Sequence, residues 1–284
     1  MNLDTYDTVE DTQLECVEPE INFNKEYEDK KWKTYKFSSL DGKLEDQYGI
    51  FRIIKLELTD NTNLPVLVAM AGFSTKSFCG SSNVIIKNLR KIKDKFKCIY
   101  ILKYDEDKIK ILQKKACDER DEIKKNTLNH HEIYKPEIDL NEELGIIIDK
   151  LLRSMKLINV HLLGKCAGGG VAIHIFTKSE IYNALYLAVP ASPTNVEHLL
   201  ENKAIMKNKT FILAWNSNDD YKFNWGGKSN DELSYYSNTI QELAGNENKI
   251  IFDSFNEQIE GDDPKRFHEI PNGLFRLIRD NLSS

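Results

Sequence analysis

The chain has 284 residues, long for one domain but normal for an open α/β sheet. Charged residues make up 30% and hydrophobic residues 40%, a globular composition with no apolar run near the roughly 20 residues that span a bilayer. The net charge of -6, spread along the chain, argues against nucleic acid as the main partner.

Five cysteines stand at 16, 79, 98, 117 and 166, with no C-x-x-C spacing. The first thirty residues hold neither a basic leader nor an apolar core segment of the secretory kind. An odd cysteine count without such a leader reads as reduced thiols and a cytoplasmic location. No cofactor and no membrane partner is implied, and the oligomeric state is not set.

Residues 1–30 are acidic and lack sustained periodicity, so they are expected to form a mobile tail or a weakly docked arm. From Trp32 the pattern changes. Trp32 to Phe37 alternates at period two, and Asp41-Gly42 supplies a turn. Phe51 to Leu58 reads as a second strand. Leu64 to Ala71 is nearly continuous in apolar residues, which suits a strand buried on both faces. Val84 to Phe96 has helical spacing, and Cys98 to Leu102 is the next buried strand.

Residues 105–139 are strongly charged and longer than an ordinary strand-to-helix link, so they form an insertion. Leu140 to Met155 predicts a helix with Leu144, Ile147, Ile148, Leu151 and Leu152 on one face. Ile158 to Leu163 is a strand. Ala184 to Val189, Thr210 to Trp215 and Lys249 to Phe255 are three more, separated by helices near 196–206 and 231–244. Asn272 to Leu282 is the closing helix. Strands and helices thus alternate from residue 64 onward, which implies a parallel sheet covered on both faces. The two opening strands imply an antiparallel start. Residues 31–284 form one domain.

The most informative stretch is Gly164-Lys165-Cys166-Ala167-Gly168-Gly169-Gly170, between an apolar strand and the apolar segment Val171 to Phe176. This is the pattern G-x-S-x-G of a nucleophile elbow, with cysteine in the serine position. The residue at such a turn is held in strained backbone. Its neighbours two positions away must lack a Cβ for strand and helix to approach, hence Gly164 and Gly168. The thiol stands at a helix amino end, where the dipole favours thiolate. Glycine-rich turns of this kind also bind phosphate. The Walker pattern fails here, because no Gly-Lys-Ser/Thr follows at the right spacing, and the dinucleotide pattern G-x-G-x-x-G is absent.

The elbow and the order of elements resemble the α/β-hydrolase fold over roughly residues 32–284. The resemblance implies a mostly parallel central sheet flanked by helices and no large lid domain. It also implies a chain order of nucleophile, acid and histidine. The acid slot follows the strand Thr210 to Trp215, where Asp219 fits and Asp220 is the alternative. The same residues suit a plain Asx turn. The histidine slot lies between the last strand and the last helix, where His268 is the one histidine of 255–271. The oxyanion donors would be the backbone N–H groups of Ala167 and Phe73. Where the family often has His-Gly, this chain has Ala71-Gly72, a departure that leaves main-chain donors in place.

Cysteine in the elbow, as Gly164-Lys165-Cys166-Ala167-Gly168-Gly169, is similar to the dienelactone hydrolase branch. That implies a Cys-His-Asp triad of Cys166, His268 and Asp219 acting on a small-molecule ester, lactone or thioester through an acyl-thioester. The branch's substrate-binding arginines have no counterpart here, so its particular substrate is not implied. His161 and His174 read as packing residues. His130 and His131 lie in the insertion without metal-ligand spacing, so no metal site is expected. Two other readings stay open: the same fold used as a catalytically silent binding or interaction module, and a phosphate-binding α/β protein.

Overall fold

A computed structural model describes residues 13–17, 32–38, 51–70, 88, 91–104, 114, 140–190, 198–202, 206–216, 241–242, 247–256 and 270–282. Nine strands form one sheet: β1 Gln13–Val17, β2 Trp32–Ser38, β3 Phe51–Glu57, β4 Val66–Met70, β5 Cys98–Tyr104, β6 Val160–Cys166, β7 Tyr182–Pro190, β8 Thr210–Asn216 and β9 Lys249–Phe255. Their order is β1-β2-β3-β5-β4-β6-β7-β8-β9. The six strands β4 to β9 are mutually parallel. β3 pairs antiparallel with β5, β2 with β3, and β1 with β2.

One strand falls where none is expected. The pattern of residues 1–30 predicts a mobile tail or weakly docked arm, yet Gln13–Val17 pairs with β2 along its length, with Cys16 opposite Tyr35. The five-residue segment is too short for its alternation to stand out from an acidic background, and pairing with a longer partner supplies what its own pattern lacks. β6 also differs from its expected bounds. It starts at Val160 rather than Ile158, which is 73% exposed, and runs through the glycine motif to Cys166. Ladders with β4 on one side and β7 on the other carry it that far.

The central strands are buried without alternation. All of β4 is buried, as is β6 up to Lys165. Such continuity requires cover on both faces of the sheet. Among the described residues, three helices have defined bounds: α1 Leu140–Ser154, α2 Ala167–Phe176 and α3 Asn272–Asn281. α1 has Glu142 and Glu143 in its first turn and Arg153 in its last, both favourable to the helix dipole. Its apolar face, Leu144, Ile148, Leu151 and Leu152, joins the core. α1 packs on α2, and α2 on β6 and β7. Gly145 permits that approach, since a Cβ there would lie 2.7 Å from the His174 Cβ.

The amino edge of the sheet is tied by buried polar side chains. Tyr182, first in β7, donates its hydroxyl to Asp149 Oδ1 at 2.7 Å. Arg153 completes that carboxylate, with Nε at 2.9 Å and Nη2 at 2.8 Å from Oδ2. Burial pushes the Asp149 carboxyl above its usual range, against the pull of Tyr182 and Arg153. Lys209 Nζ donates to the carbonyls of Tyr182 at 2.7 Å and Glu180 at 3.1 Å. Asn183 Nδ2 donates to Asn159 Oδ1 at 2.8 Å.

His161 and His174 are packing residues in the structure, as their patterns suggest. His161 is buried beside Phe96 and bonds the Tyr186 hydroxyl through Nδ1 at 2.8 Å. Burial lowers its pKa to about 4, so it is neutral in the folded chain. His174 lies against the His198 ring with centroids 4.3 Å apart.

Candidate active site

Cys166 is the last residue of β6 and the residue before α2. Its backbone adopts φ 51° and ψ -127°. A non-glycine residue rarely holds positive φ, and such a conformation persists only where the surroundings over-determine it. The other described non-glycine residues with positive φ, Lys156, Asn159, Asn208 and Glu247, all lie in connections between elements. Cys166 alone lies at a direct strand-to-helix junction.

Three features force the turn. The β6 ladder with β7 slips between Lys165 and Cys166, so the chain leaves the sheet there; Lys165 faces Ala188 and Cys166 faces Pro190. The helix starts at the next residue. Gly164 then lies directly beneath the first turn of α2. A Cβ on Gly164 would lie 2.6 Å from both the Gly168 carbonyl oxygen and the Gly169 Cα, and 2.9 Å from the Ala172 Cβ. A side chain at Gly164 would therefore collide with the backbone of α2.

The consequence is a partly exposed Cys166 at the carboxyl edge of the sheet, above buried Gly168, Gly169 and Gly170. Cys166 is not in a disulfide. The amide of Ala167, in the first turn of α2, is among the N–H groups that a helix leaves without an internal acceptor. Ala167 is itself partly exposed. The Cys166 thiol and the amino end of α2 therefore share one corner. Cys98 is the contrasting thiol: it is buried in β5, and burial pushes its pKa up. A buried, protonated thiol is inert.

The remaining expected site residues fall elsewhere. His268, Asp219, Asp220 and Phe73 lie outside the described residues, as do His130 and His131. The described ends of their segments are Met70 at the end of β4, Asn216 at the end of β8, and Ile270 ahead of α3. The parallel pairings set Met70 beside Gly164 across the β4–β6 ladder. The β4 exit thus neighbours the turn at Cys166. Among the described residues, no group of three or more His, Cys, Asp or Glu is arranged to hold a metal ion. Among them, too, no helix is long and apolar enough to cross a membrane.

Sequence reading gave no attention to Lys165, which the structure buries to 1% exposure directly before Cys166. Nor did it single out Asn88, buried at 3%, whose Nδ2 donates to Asn272 Oδ1 at 3.0 Å. Only the apolar residues around each of them offered a signal, by marking these positions as core.

No protein-family model matches the chain, and no curated protein matches it in sequence. Among solved structures, it is similar to a CIB-like hydrolase from Thermoplasma acidophilum, with 13% identity, 95% of this chain and 98% of that one covered, and a TM-score of 0.47. An IroE-like serine hydrolase from Shewanella oneidensis is similar at 14% identity, covering 89% of this chain and 79% of that one, with a TM-score of 0.49. Brefeldin A esterase, a bacterial homologue of human hormone sensitive lipase, is similar at 12% identity, covering 93% and 79%, with a TM-score of 0.47. These are distant likenesses, and the chemistry below rests on the chain's own residues.

Proposed function

We propose that this chain is an α/β-hydrolase of the dienelactone hydrolase-like kind that cleaves a small ester, lactone or thioester, with Cys166 as nucleophile. The observation that carries the reading is the Cys166 backbone, held at positive φ between β6 and α2 by a glycine that admits no Cβ. A passive small residue has no need of that conformation, whereas a nucleophile lifted clear of the sheet does.

In this reading His268 is the base and Asp219 orients its imidazole, with Asp220 as the alternative acid. His268 takes the Cys166 proton, and the thiolate sulfur attacks the substrate carbonyl carbon. The carbonyl oxygen gains the charge and is met by the N–H groups of Ala167 and Phe73. The tetrahedral adduct collapses, the C–O or C–S bond to the leaving group breaks, and the imidazolium returns its proton to that group. Water then gives a proton to His268 and attacks the acyl-thioester. The carboxylic acid leaves and Cys166 recovers its proton. Thiolates favour activated acyl carbons, hence esters of good leaving groups, lactones and thioesters. No cofactor enters these steps, and a cytoplasmic thiol-reducing setting suits them.

The test is hydrolysis of an activated aryl ester by the wild-type chain and by Cys166→Ala. Turnover that disappears in the variant supports the reading. If no activated ester or thioester is turned over above background, and Cys166 alkylates no faster than Cys16, the fold serves as a binding module instead.

A further inference from the structure

We infer that this protein forms a two-fold dimer through the outer edge of β9, which pairs antiparallel with β9 of a second copy in the register that sets Lys249 opposite Asp253. The inference is independent of the chemistry proposed for Cys166.

β9 is the last strand of the sheet, and among the described residues nothing pairs with its outer side. Its ladder with β8 runs through Lys249–Phe255 with no register shift and no proline. The open side shows in the packing. Phe211, Ile212 and Leu213 of β8 are 1 to 2% exposed. Their neighbours in register, Ile250, Ile251 and Phe252 of β9, are only partly buried. An apolar edge of this kind is a template for another strand, and charged residues on it serve to turn such a strand away. β9 carries two, Lys249 and Asp253. Among the described residues, neither has an ion-pair partner within the chain. They are opposite in sign and share one face of the strand, four positions apart. An antiparallel copy of the same strand therefore meets each charge with its opposite.

Backbone geometry selects the register. The Lys249 N–H donates to the Lys209 carbonyl at 2.8 Å, so the main-chain groups of Lys249 turn toward β8. Direction alternates along a strand, so Ile251 and Asp253 turn the same way, and Ile250, Phe252 and Ser254 present theirs outward. A second strand must bond those outward groups. A two-fold axis centred on Ile251 achieves this: Ile250 exchanges both main-chain bonds with Phe252 of the second copy, and Phe252 with its Ile250. The pairs in between are the close, non-hydrogen-bonded kind, with Cα atoms about 4.5 Å apart. They are Ile251 against Ile251 and, twice by symmetry, Lys249 against Asp253. An axis centred on Ile250 would set Asp253 against Glu247, and one centred on Phe252 would set it against Ile251. Of the three, only the axis on Ile251 pairs both charges. The contact joins two nine-stranded sheets into one. β6 is three strands in from β9, so Cys166 stays roughly 14 Å from the joined strands. Antiparallel pairing also points the two carboxyl edges in opposite directions, so the contact does not run over either Cys166.

One strand edge is small beside the roughly 1,600 Å² of a standard interface, so the dimer should build up with concentration. Sedimentation velocity on the full chain over a concentration series reads it. Lys249→Asp sets like charges together at two symmetric places and should raise the dissociation constant by roughly tenfold or more. Adding Asp253→Lys to that variant restores opposite signs and should restore the dimer, a rescue that a general loss of stability cannot give. Ile251→Cys supplies a second measurement, since it sets a thiol directly opposite its own copy. Mild oxidation should then link two chains through position 251, read as a linked peptide by mass spectrometry. Ile250→Cys lies on the other face and out of line with its copy, and should link far less. A wild type that stays monomeric, together with no link at position 251, overturns the inference. So does a dimer that Lys249→Asp leaves unchanged, a folded double variant that stays monomeric, or a position 250 that links as readily as 251.

Discussion

At the amino edge of the parallel sheet, the buried polar side chains end on partners inside the fold. Asp149 accepts from Tyr182 and Arg153, Lys209 caps two carbonyls, and His161 meets Tyr186. Each bond joins elements that must stay together: α1 to β7, the approach to β8 to β7, β6 to β7. At the carboxyl edge, Cys166 has backbone strain and partial exposure. The same strand β6 runs from one regime to the other. The fold places satisfied polar groups where it needs rigidity, and strain where a side chain must project. Strain at one edge persists because the other edge is over-determined.

The widest effect should come from Cys166→Ala. Turnover of an activated ester should fall by roughly 10³-fold or more, because in the proposed reading nucleophile and base act as a unit. Alanine at that φ remains as strained as cysteine, so stability should stay within about 1 kcal/mol of wild type. A large drop in melting temperature would break the comparison, by making Cys166 a packing residue. Gly164→Ala should act on both properties at once. Its new Cβ meets backbone rather than a movable side chain. We expect a loss of about 3 kcal/mol or more in urea unfolding, with activity lost as the elbow shifts. A variant that folds and turns over normally would show that the turn is looser than its geometry.

The amino edge has its own signature in pH. His161 is held neutral, with a pKa of about 4 against an ordinary 6.5. The unfolded chain therefore binds a proton that the folded chain refuses in that interval. Stability should fall as pH drops from about 6.5 to about 4, by on the order of 2 to 3 kcal/mol from this group. His198 is displaced in the same direction by burial and by its neighbour His174, and adds to the trend. Chemical denaturation across that range, with His161→Asn as the comparison, measures the term. An equal slope in the variant would remove His161 as its source.

How much of this was legible beforehand follows the same division. The glycine spacing around Cys166 marked the tight strand-to-helix turn because backbone approach leaves a mark in the sequence: only glycine fits at 164 under Gly168 and Gly169. The apolar runs marked β4, β5, β7 and β8 for a related reason, since double-sided burial removes alternation, whereas β9 is only partly buried. The network around Asp149 left no such mark. Asp149 stands in a charged helix and looks like a surface residue until β7 brings Tyr182 to it. β1 was missed because its partner is supplied by the rest of the sheet, and Asn88 because its partner lies at the far end of the chain. His268, Asp219 and Phe73 lie outside the described residues, and their only sequence signal is position relative to strands. Their readings remain proposals for that reason.

The smallest effect tests the amino edge most finely. Tyr182→Phe removes one hydroxyl and nothing of the ring. Asp149 then keeps the Arg153 pair, whose arginine is 40% exposed, and loses its buried donor. The cost of a buried acceptor losing a partner is about 1 to 2 kcal/mol. It should depend on pH in a definite sense. Burial already raises the Asp149 carboxyl, and the tyrosine hydroxyl works against that rise by favouring the ionised form. Without the hydroxyl, the carboxyl titrates higher still in the folded state. The penalty is therefore full where Asp149 is ionised in both proteins, and shrinks as pH falls through its folded range, because the protonated carboxyl needs that donor less. Urea unfolding of wild type and variant at neutral pH and near pH 4 gives the two differences. A penalty that stays constant with pH would mean that Tyr182 acts through packing alone. A loss of ester turnover in this variant, with the fold intact, would mean that the two edges are coupled and that the division between them is wrong.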